Sequence, residues 1–166
     1  MPLTRLQLEI WIALAVVVLD QATKAAVRFS FDLHESVEVI PSFFNLTRVH
    51  NYGAAFGFMN AADVPFKPVV LSIVAAFALG TLTWYGATLP ADQRLARIGL
   101  AFIVGGAAGN LIDRIASGFV VDFVDLYWRD WHFWAFNVAD AAITVGVSLM
   151  ILDLLKIGRS RVSRAV

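Results

Sequence analysis

The sequence of 166 residues contains no cysteine, and only 16% of its residues are charged. The lack of cysteine excludes disulfide bonds, thiolate metal sites and a cysteine nucleophile. The scarcity of charge, beside a hydrophobic content of 59% and a mean hydropathy of +0.72, excludes an ordinary soluble domain, in which about 25% of residues are charged. Thirteen basic residues balance thirteen acidic ones, so no excess of basic charge indicates a nucleic-acid partner.

Four apolar stretches are each long enough to cross a membrane. About 20 helical residues, at about 1.5 Å rise per residue, match a hydrocarbon core of about 30 Å. The stretches do not alternate in polarity as barrel strands do, and a helix satisfies its own backbone hydrogen bonds in lipid. The sequence therefore predicts an all-α membrane protein with four transmembrane helices, in a single integral membrane domain covering residues 1–166. The predicted spans are about residues 6–27, 68–89, 95–112 and 133–155.

Basic residues predict how these spans are oriented. The C-terminal tail is rich in Lys and Arg and has no acid after Asp153, which favours a cytoplasmic C-terminus. An even number of crossings then places the N-terminus on the same side, so the connections at about residues 29–67 and 113–132 are predicted outer loops. In the first loop, the β-branched and aromatic segments Val37–Val39 and Phe43–Val49 predict a small β-layer on the outer membrane surface.

Polar residues inside or beside the spans need an explanation, because burying them in lipid costs free energy. Asp20 and Lys24 are four residues apart on one helical face, and we expect them to pair. Asn110, Asp113 and Arg114 share one face at the outer end of the third span. Mutual neutralisation of Asp113 and Arg114 is one hypothesis for this group, and a role in a site is the other.

Asp122 and Asp140 are the strongest candidates for chemistry. Asp122 has apolar neighbours on both sides in the second outer loop, and Asp140 lies near the outer end of the fourth span with no Lys or Arg within one helical turn. Asn137 lies one turn earlier on the same face. Two carboxylates close together in a low-dielectric site share one proton, so one can act as a base on water while the other acts as an acid towards a carbonyl oxygen.

The residues alone leave three hypotheses open. An aspartic pair predicts a membrane aspartyl hydrolase. Oxygen ligands from Asp113, Asp122, Asp125 and Asp140 suit a hard divalent cation, which predicts a metal-dependent membrane enzyme. Acids in a span are also typical of a small ion or proton transporter. The polar residues gather at one membrane surface, which favours surface chemistry on a membrane-held substrate.

Several short motifs follow one another along nearly the whole chain. They are DQATK (residues 20–24), NYGAAF (51–56), GNLIDR (109–114), VDFVD (121–125) and FNVAD (136–140). In this order and at this length they resemble the bacterial lipoprotein signal peptidases, the type II signal peptidases. The resemblance implies an aspartic endopeptidase that hydrolyses the bond before a diacylglyceryl-modified cysteine and thereby removes the signal peptide from a prolipoprotein.

The resemblance also implies where the enzyme works and with which residues. We expect a monomer in the bacterial inner membrane, surrounded by membrane lipids, with both termini cytoplasmic and the active site at the outer face. We expect no cofactor and no metal, and inhibition by the cyclic peptide globomycin. By the same resemblance Asp122 and Asp140 are the catalytic residues. The residues expected to bind substrate or support the site are Asn51, Asn110, Arg114, Asn137, Asp20 and Asp113.

Overall fold

The computed structural model describes residues 4–53 and 65–163. Within these ranges it contains four long helices and a four-stranded antiparallel sheet, which confirms the predicted fold class. The helices are α1 (Arg5–Ser30), α2 (Lys67–Thr88), α3 (Arg94–Ser117) and α4 (Val138–Ser163). The strands are β1 (Ser36–Ile40), β2 (Phe44–Asn51), β3 (Val120–Trp128) and β4 (Trp131–His132), which lie side by side in that order.

Each of these helices is long and apolar enough to cross a membrane. Helix α3 lies at the centre of the bundle, because α1, α2 and α4 all pack against it. Helix α2 has no buried residue, and its residues are half-buried or exposed. The protein is therefore a multi-pass membrane protein with one helix surrounded by its neighbours.

Glycines on α3 allow its neighbours to approach closely. A Cβ atom on Gly105 would lie 2.8 Å from the Ala13 carbonyl oxygen of α1, and one on Gly106 would lie 2.8 Å from Ile143 Cγ1 of α4. These distances are too short for any side chain larger than hydrogen, so the glycines set the separation of the helices. The close packing brings the polar residues of α1, α3 and α4 into one cluster.

The connection between α3 and α4, predicted as an outer loop at about residues 113–132, contains two strands, and the helices beside it have different bounds from the predicted spans. Helix α3 continues to Ser117 and ends at Gly118, whose φ of 79° is the left-handed conformation that terminates helices. Strands β3 and β4 follow, and α4 begins at Val138 instead of about residue 133. The reason is pairing with β3, since the backbone N–H of Phe136 donates to the carbonyl of Val124 at 3.1 Å.

The apolar residues of β3 and Asp122 have different surroundings. Strands β2 and β3 are antiparallel, with Val49 opposite Asp122. Val121 and Phe123 pack with Val27 of α1 in a buried apolar cluster. Because side chains alternate along a strand, Asp122, which lies between these two residues, is not part of the apolar cluster.

Candidate active site

Asp122 is a buried carboxylate held by two amide groups. Its side chain lies in β3, and the residue is only 2% exposed. The Nδ2 atom of Asn137 donates to Oδ1 at 2.7 Å, and Nδ2 of Asn51 donates to Oδ2 at 3.1 Å. Burial, followed by the negative charge of Asp140, raises the pKa of the Asp122 carboxyl to about 7. This group can therefore hold a proton at neutral pH.

Asp140 is fixed at the N-terminus of α4. Asn137 immediately precedes the helix, and its Oδ1 accepts the backbone N–H of Asp140 at 3.0 Å. In return, Oδ2 of Asp140 accepts the backbone N–H of Asn137 at 3.3 Å. The two residues form a reciprocal capping box, and Nδ2 of Asn110 donates to the remaining oxygen, Oδ1, at 2.8 Å.

Asn137 joins the two carboxylates into one site. Its side-chain amide donates to Asp122, while its backbone and its side-chain oxygen bond to Asp140. Asn137 is fully buried, so water does not compete for these bonds. Asn137 therefore contacts both carboxylates, one in β3 and the other in the first turn of α4.

A fully buried lysine fixes the orientation of Asn110. Nζ of Lys24 lies 2.7 Å from Oδ2 of Asp20 and 3.1 Å from Oδ2 of Asp113, and it donates to Oδ1 of Asn110 at 2.8 Å. An ammonium group only donates hydrogen bonds, so the Asn110 oxygen must face Lys24. Its NH₂ group must then face Asp140. The predicted pairing of Asp20 with Lys24 is confirmed.

Asp20 and Asp113 connect the site to the surrounding elements. Oδ1 of Asp20 accepts the backbone N–H of Ala139 at 3.0 Å, which satisfies a free amide at the start of α4. Oδ2 of Asp113 accepts the backbone N–H of Val121 at 3.2 Å and so fixes the start of β3 beside α3. The cations of Asp113 are Lys24 and Arg28, at 3.1 and 2.7 Å. Asp113 therefore forms its ion pairs with two residues of α1, and the charge of Arg114 also acts on it.

Arg114 lies at the edge of the site. Its Nη2 donates to the carbonyl of Gly53 at 3.3 Å, and its Nη1 donates to the carbonyl of Asn110 at 3.5 Å. Its charge acts on both Asp122 and Asp140. All six residues expected to bind substrate or support the site thus lie around the two carboxylates or in the ionic cluster below them. The rest of the NYGAAF motif, residues 54–56, lies outside the described residues.

The acids proposed for a metal site do not lie together. Asp125 accepts from Nδ2 of Asn45 at 3.0 Å and lies 2.9 Å from Nδ1 of His132 at the outer part of the sheet. Asp113 lies in the ionic cluster with Lys24. Within residues 4–53 and 65–163, no group of three or more His, Asp or Glu side chains is arranged to hold a metal ion.

Two residues that contribute to the site were missed from the sequence. Arg28 pairs with Asp113, and Nε2 of Gln21 donates to Oδ2 of Asp20 at 3.1 Å and to the carbonyl of Gly109 at 3.1 Å. Arg28 lies four residues after Lys24, so its position on the same helical face was a usable signal. Gln21 gave no such signal, because its partners on α3, the carbonyl of Gly109 at 3.1 Å and Oδ1 of Asp113 at 3.4 Å, are brought near it only by the packing of the two helices.

Comparison with known proteins gives a consistent set of matches. A family model described as signal peptidase (SPase) II matches residues 12–156. A lipoprotein signal peptidase of Geobacter sulfurreducens is 44% identical over 145 residues, which cover 87% of this chain and 89% of that protein. One of Symbiobacterium thermophilum is 45% identical over 152 residues, covering 92% of this chain and 97% of that protein.

A solved structure is also similar to this chain. It is a bacterial membrane enzyme determined by the in meso method at 1.9 Å resolution, with a TM-score of 0.80 and 33% sequence identity. The match covers 89% of this chain and 92% of that one. The similarity therefore extends over the helices and the sheet together.

Proposed function

This chain belongs to the signal peptidase II family, and on that premise we propose that Asp122 and Asp140 are the catalytic pair with which it cleaves its substrate. The protein is an aspartic peptidase that removes signal peptides from prolipoproteins. The bond that it hydrolyses is the one directly before the diacylglyceryl-modified cysteine. The observation that carries the proposal is the bonding of Asn137 to both carboxylates.

The pair supplies a base and an acid at the same time. The ionised carboxylate removes a proton from a water molecule, whose oxygen attacks the scissile carbonyl carbon, while the protonated carboxyl donates its proton to the carbonyl oxygen. A tetrahedral diol results. Collapse of the diol breaks the C–N bond, the amine nitrogen takes the proton that came from water, and the diol returns a proton to the other carboxylate. The pair ends with one proton, as it began.

Neighbouring residues position the substrate and the carboxylates. Arg114 donates to a backbone carbonyl in the described structure, and the same guanidinium can donate to a substrate carbonyl. Asn51, Asn110 and Asn137 hold the two carboxylates by their amide groups. Asp20 and Asp113 act through the backbone of α4 and β3. Such positioning lowers the entropy cost of reaching the transition state.

The proposed location follows from the chemistry of the substrate. Acyl chains on the cysteine confine the scissile bond to the headgroup region, and the two carboxylates lie at one end of the helix bundle beside the sheet. We place this end at the outer face of the bacterial inner membrane, with both termini cytoplasmic, because the sequence that follows the other end of α4 is basic and has no acid after Asp153. We further propose that the enzyme acts as a monomer among membrane lipids and that globomycin inhibits it.

A defined peptide tests the proposed reaction. The purified protein in detergent is incubated with a lipobox peptide that carries a diacylglyceryl cysteine, and with the same peptide bearing a free cysteine as the control. We expect mass spectrometry to find cleavage directly before the modified cysteine and far slower cleavage of the control. Equal cleavage of both peptides, or cleavage of neither, would overturn the proposal.

A further inference from the structure

A crevice lies at the end of the helix bundle opposite the two carboxylates. Helices α1 and α2 each pack against α3 but make few contacts with each other in the described chain. The space between them is a cavity of about 290 Å³, close to the lower end of the range of about 300–1,000 Å³ for ligand pockets. Arg97 on its wall precedes Asn110 by 13 residues, which is about 20 Å along α3.

The walls of the crevice are apolar, and small side chains leave the space open. Leu6 and Ile10 of α1 and Leu100 of α3 line the crevice. Gly86 and Ala87 of α2 line it as well, and their small side chains leave space. A Cβ atom on Gly86 would lie 2.8 Å from Cδ2 of Leu100, so α2 is already as close to α3 as this position allows. A straight hydrocarbon chain suits such a narrow apolar space.

A partly buried ion pair between Arg97 and Glu9 lies at the end of the crevice. Nε of Arg97 donates to Oε1 of Glu9 at 2.6 Å, and Nη2 donates to Oε2 at 2.9 Å. Nη1 donates to the carbonyl of Leu89 at 2.8 Å. A guanidinium has five N–H groups, so these bonds leave one on each Nη atom for an oxygen ligand. The side chains of Arg97 and Glu9 are 18% and 19% exposed, which keeps them accessible from the membrane.

A second basic side chain lies close to this ion pair. Arg94 is exposed and lies one turn before Arg97 on α3. The sequence after Asp153 is also basic, with four Lys or Arg residues and no acid between residues 156 and 164. Basic residues beside a membrane surface attract an anionic headgroup.

We propose that this crevice binds one anionic phospholipid, with an acyl chain between α1 and α2 and the phosphate beside Arg94 and Arg97. The apolar walls exclude a polar metabolite, and the free Arg97 N–H groups match phosphate or ester oxygens. The site is separate from the reaction, since Asp122 and Asp140 lie at the opposite membrane surface. Its occupant comes from the lipid leaflet that faces the ends of α1 and α3 at Arg5 and Arg94.

Native mass spectrometry of lipids retained by the protein tests this site. The protein is purified from equimolar phosphatidylglycerol and phosphatidylcholine. We expect one phosphatidylglycerol to remain bound preferentially after excess detergent removes other lipids. Ala87→Phe places a ring in the crevice from an exposed position, and we expect retention to fall about tenfold, as for the loss of about two buried methylenes. Ala76→Phe, on the exposed surface of the same helix but outside the crevice, is the matched control.

The variants also distinguish specific lipid binding in the crevice from the non-specific contact of lipids with the rest of the protein surface. Arg94→Gln should remove the preference for phosphatidylglycerol, while one lipid is still retained. The peptidase activity of all variants should match that of the wild type, and this result would show that the variants fold. If Ala87→Phe disturbs the fold, Thr83→Phe at the same crevice replaces it. Equal retention of both lipids by the wild type, no retained lipid, or equal losses in Ala87→Phe and Ala76→Phe would each overturn the proposal.

Discussion

Asn137 and Asp140 combine a structural role with a chemical one. Their reciprocal bonds are those of a helix-capping box, which any helix N-terminus could use. The same bonds fix the carboxylate of Asp140 relative to the Asn137 amide, which donates to Asp122. The site is therefore preorganised by the interaction that begins α4, and little side-chain entropy remains to be lost when substrate binds.

The protonation of the pair predicts the pH dependence of catalysis. The pKa of Asp122 lies near 7, and the pair needs one proton to donate to the carbonyl oxygen. As the pH rises above about 7, this proton is lost, and we expect kcat/KM to fall by about tenfold per pH unit. Steady-state kinetics with the acylated peptide between pH 5 and 9 measure this decrease in kcat/KM. A kcat/KM that stays constant up to pH 9 would contradict a shared proton.

Asn110 is predicted to act as a positioning residue whose amide must point its NH₂ group to Asp140. Asn110→Asp keeps the acceptor for Lys24 but replaces the donor by an oxygen, which repels Asp140. We expect kcat/KM to fall by about 100-fold and the pH profile to shift, a change that a purely structural defect would not cause.

The matched control for Asn110→Asp is Asn45→Asp. Asn45 also donates its amide to an aspartate, Asp125, but at the outer part of the sheet. Its variant should retain the wild-type pH profile and most of the activity. Equal losses in both variants would mean that an added acid disturbs the protein generally, and the assignment to Asn110 would fail.

At the scale of residues, the informative signal in the sequence was an acidic residue without a basic residue near it. Asp140 was identified because no basic residue lies within one turn, and Asp122 because its neighbours are apolar. The contacts of Gln21 with α3 could not be derived, because they depend on how two helices rotate and approach each other. Such information is held in long-range packing and not in local sequence.

At the scale of elements, the site depends on how closely α1 approaches α3. A Cβ atom on Gly109 would lie 2.6 Å from Oδ2 of Asp20, the oxygen that pairs with Lys24. The absence of a side chain at this position therefore lets the ionic cluster form. The close contact couples helix packing to the orientation of Asn110, since Lys24 binds both groups.

Replacement of Gly109 by alanine is expected to destabilise the protein. The added methyl group pushes Asp20 from Lys24, and overpacking of this kind costs about 1–3 kcal/mol. Thermal unfolding in detergent measures the change. Gly80→Ala is the matched control, because a Cβ atom there meets nothing within 4 Å. If both variants unfold at the wild-type temperature, the proposed tight contact at Gly109 is absent.

Element types were easier to predict than the boundaries around residue 133. The apolar aromatic run from Phe133 to Phe136 is as hydrophobic as a span, but its backbone bonds to β3. Hydropathy reports that a segment avoids water and does not distinguish a helix from an extended segment beside a sheet. Strands β1 and β2 were predicted from their β-branched residues, whereas β3 was not, although Val120–Val124 has a similar composition.

At the scale of the whole molecule, the buried acid makes stability depend on pH. The usual pKa of Asp122 is 3.8, and the folded-state pKa is about 7. Between these values the folded state binds more protons than the unfolded state, so the free energy of unfolding decreases as the pH rises. The shift corresponds to a loss of about 4 kcal/mol between pH 4 and pH 7. The folded protein therefore keeps at the site a carboxyl group whose ionisation lowers the free energy of unfolding.

Asp122→Asn is predicted to remove most of this pH dependence. The amide does not titrate, so the stability of the variant should decrease less between pH 5 and pH 8 than that of the wild type. Thermal unfolding in detergent at both pH values gives the comparison, with Asp125→Asn as the control at a more accessible position of the same strand. A wild-type decrease that persists in Asp122→Asn would show that other groups cause it.

The most direct measurement of the central claim is single-turnover cleavage of the acylated peptide by Asp122→Asn and Asp140→Asn, beside Asp125→Asn. If Asp122 and Asp140 are the catalytic pair, each of the first two variants should fold and bind substrate but cleave it at least about a thousandfold more slowly, while Asp125→Asn remains close to the wild type. Cleavage by either Asp122→Asn or Asp140→Asn within about tenfold of the wild-type rate would contradict the account.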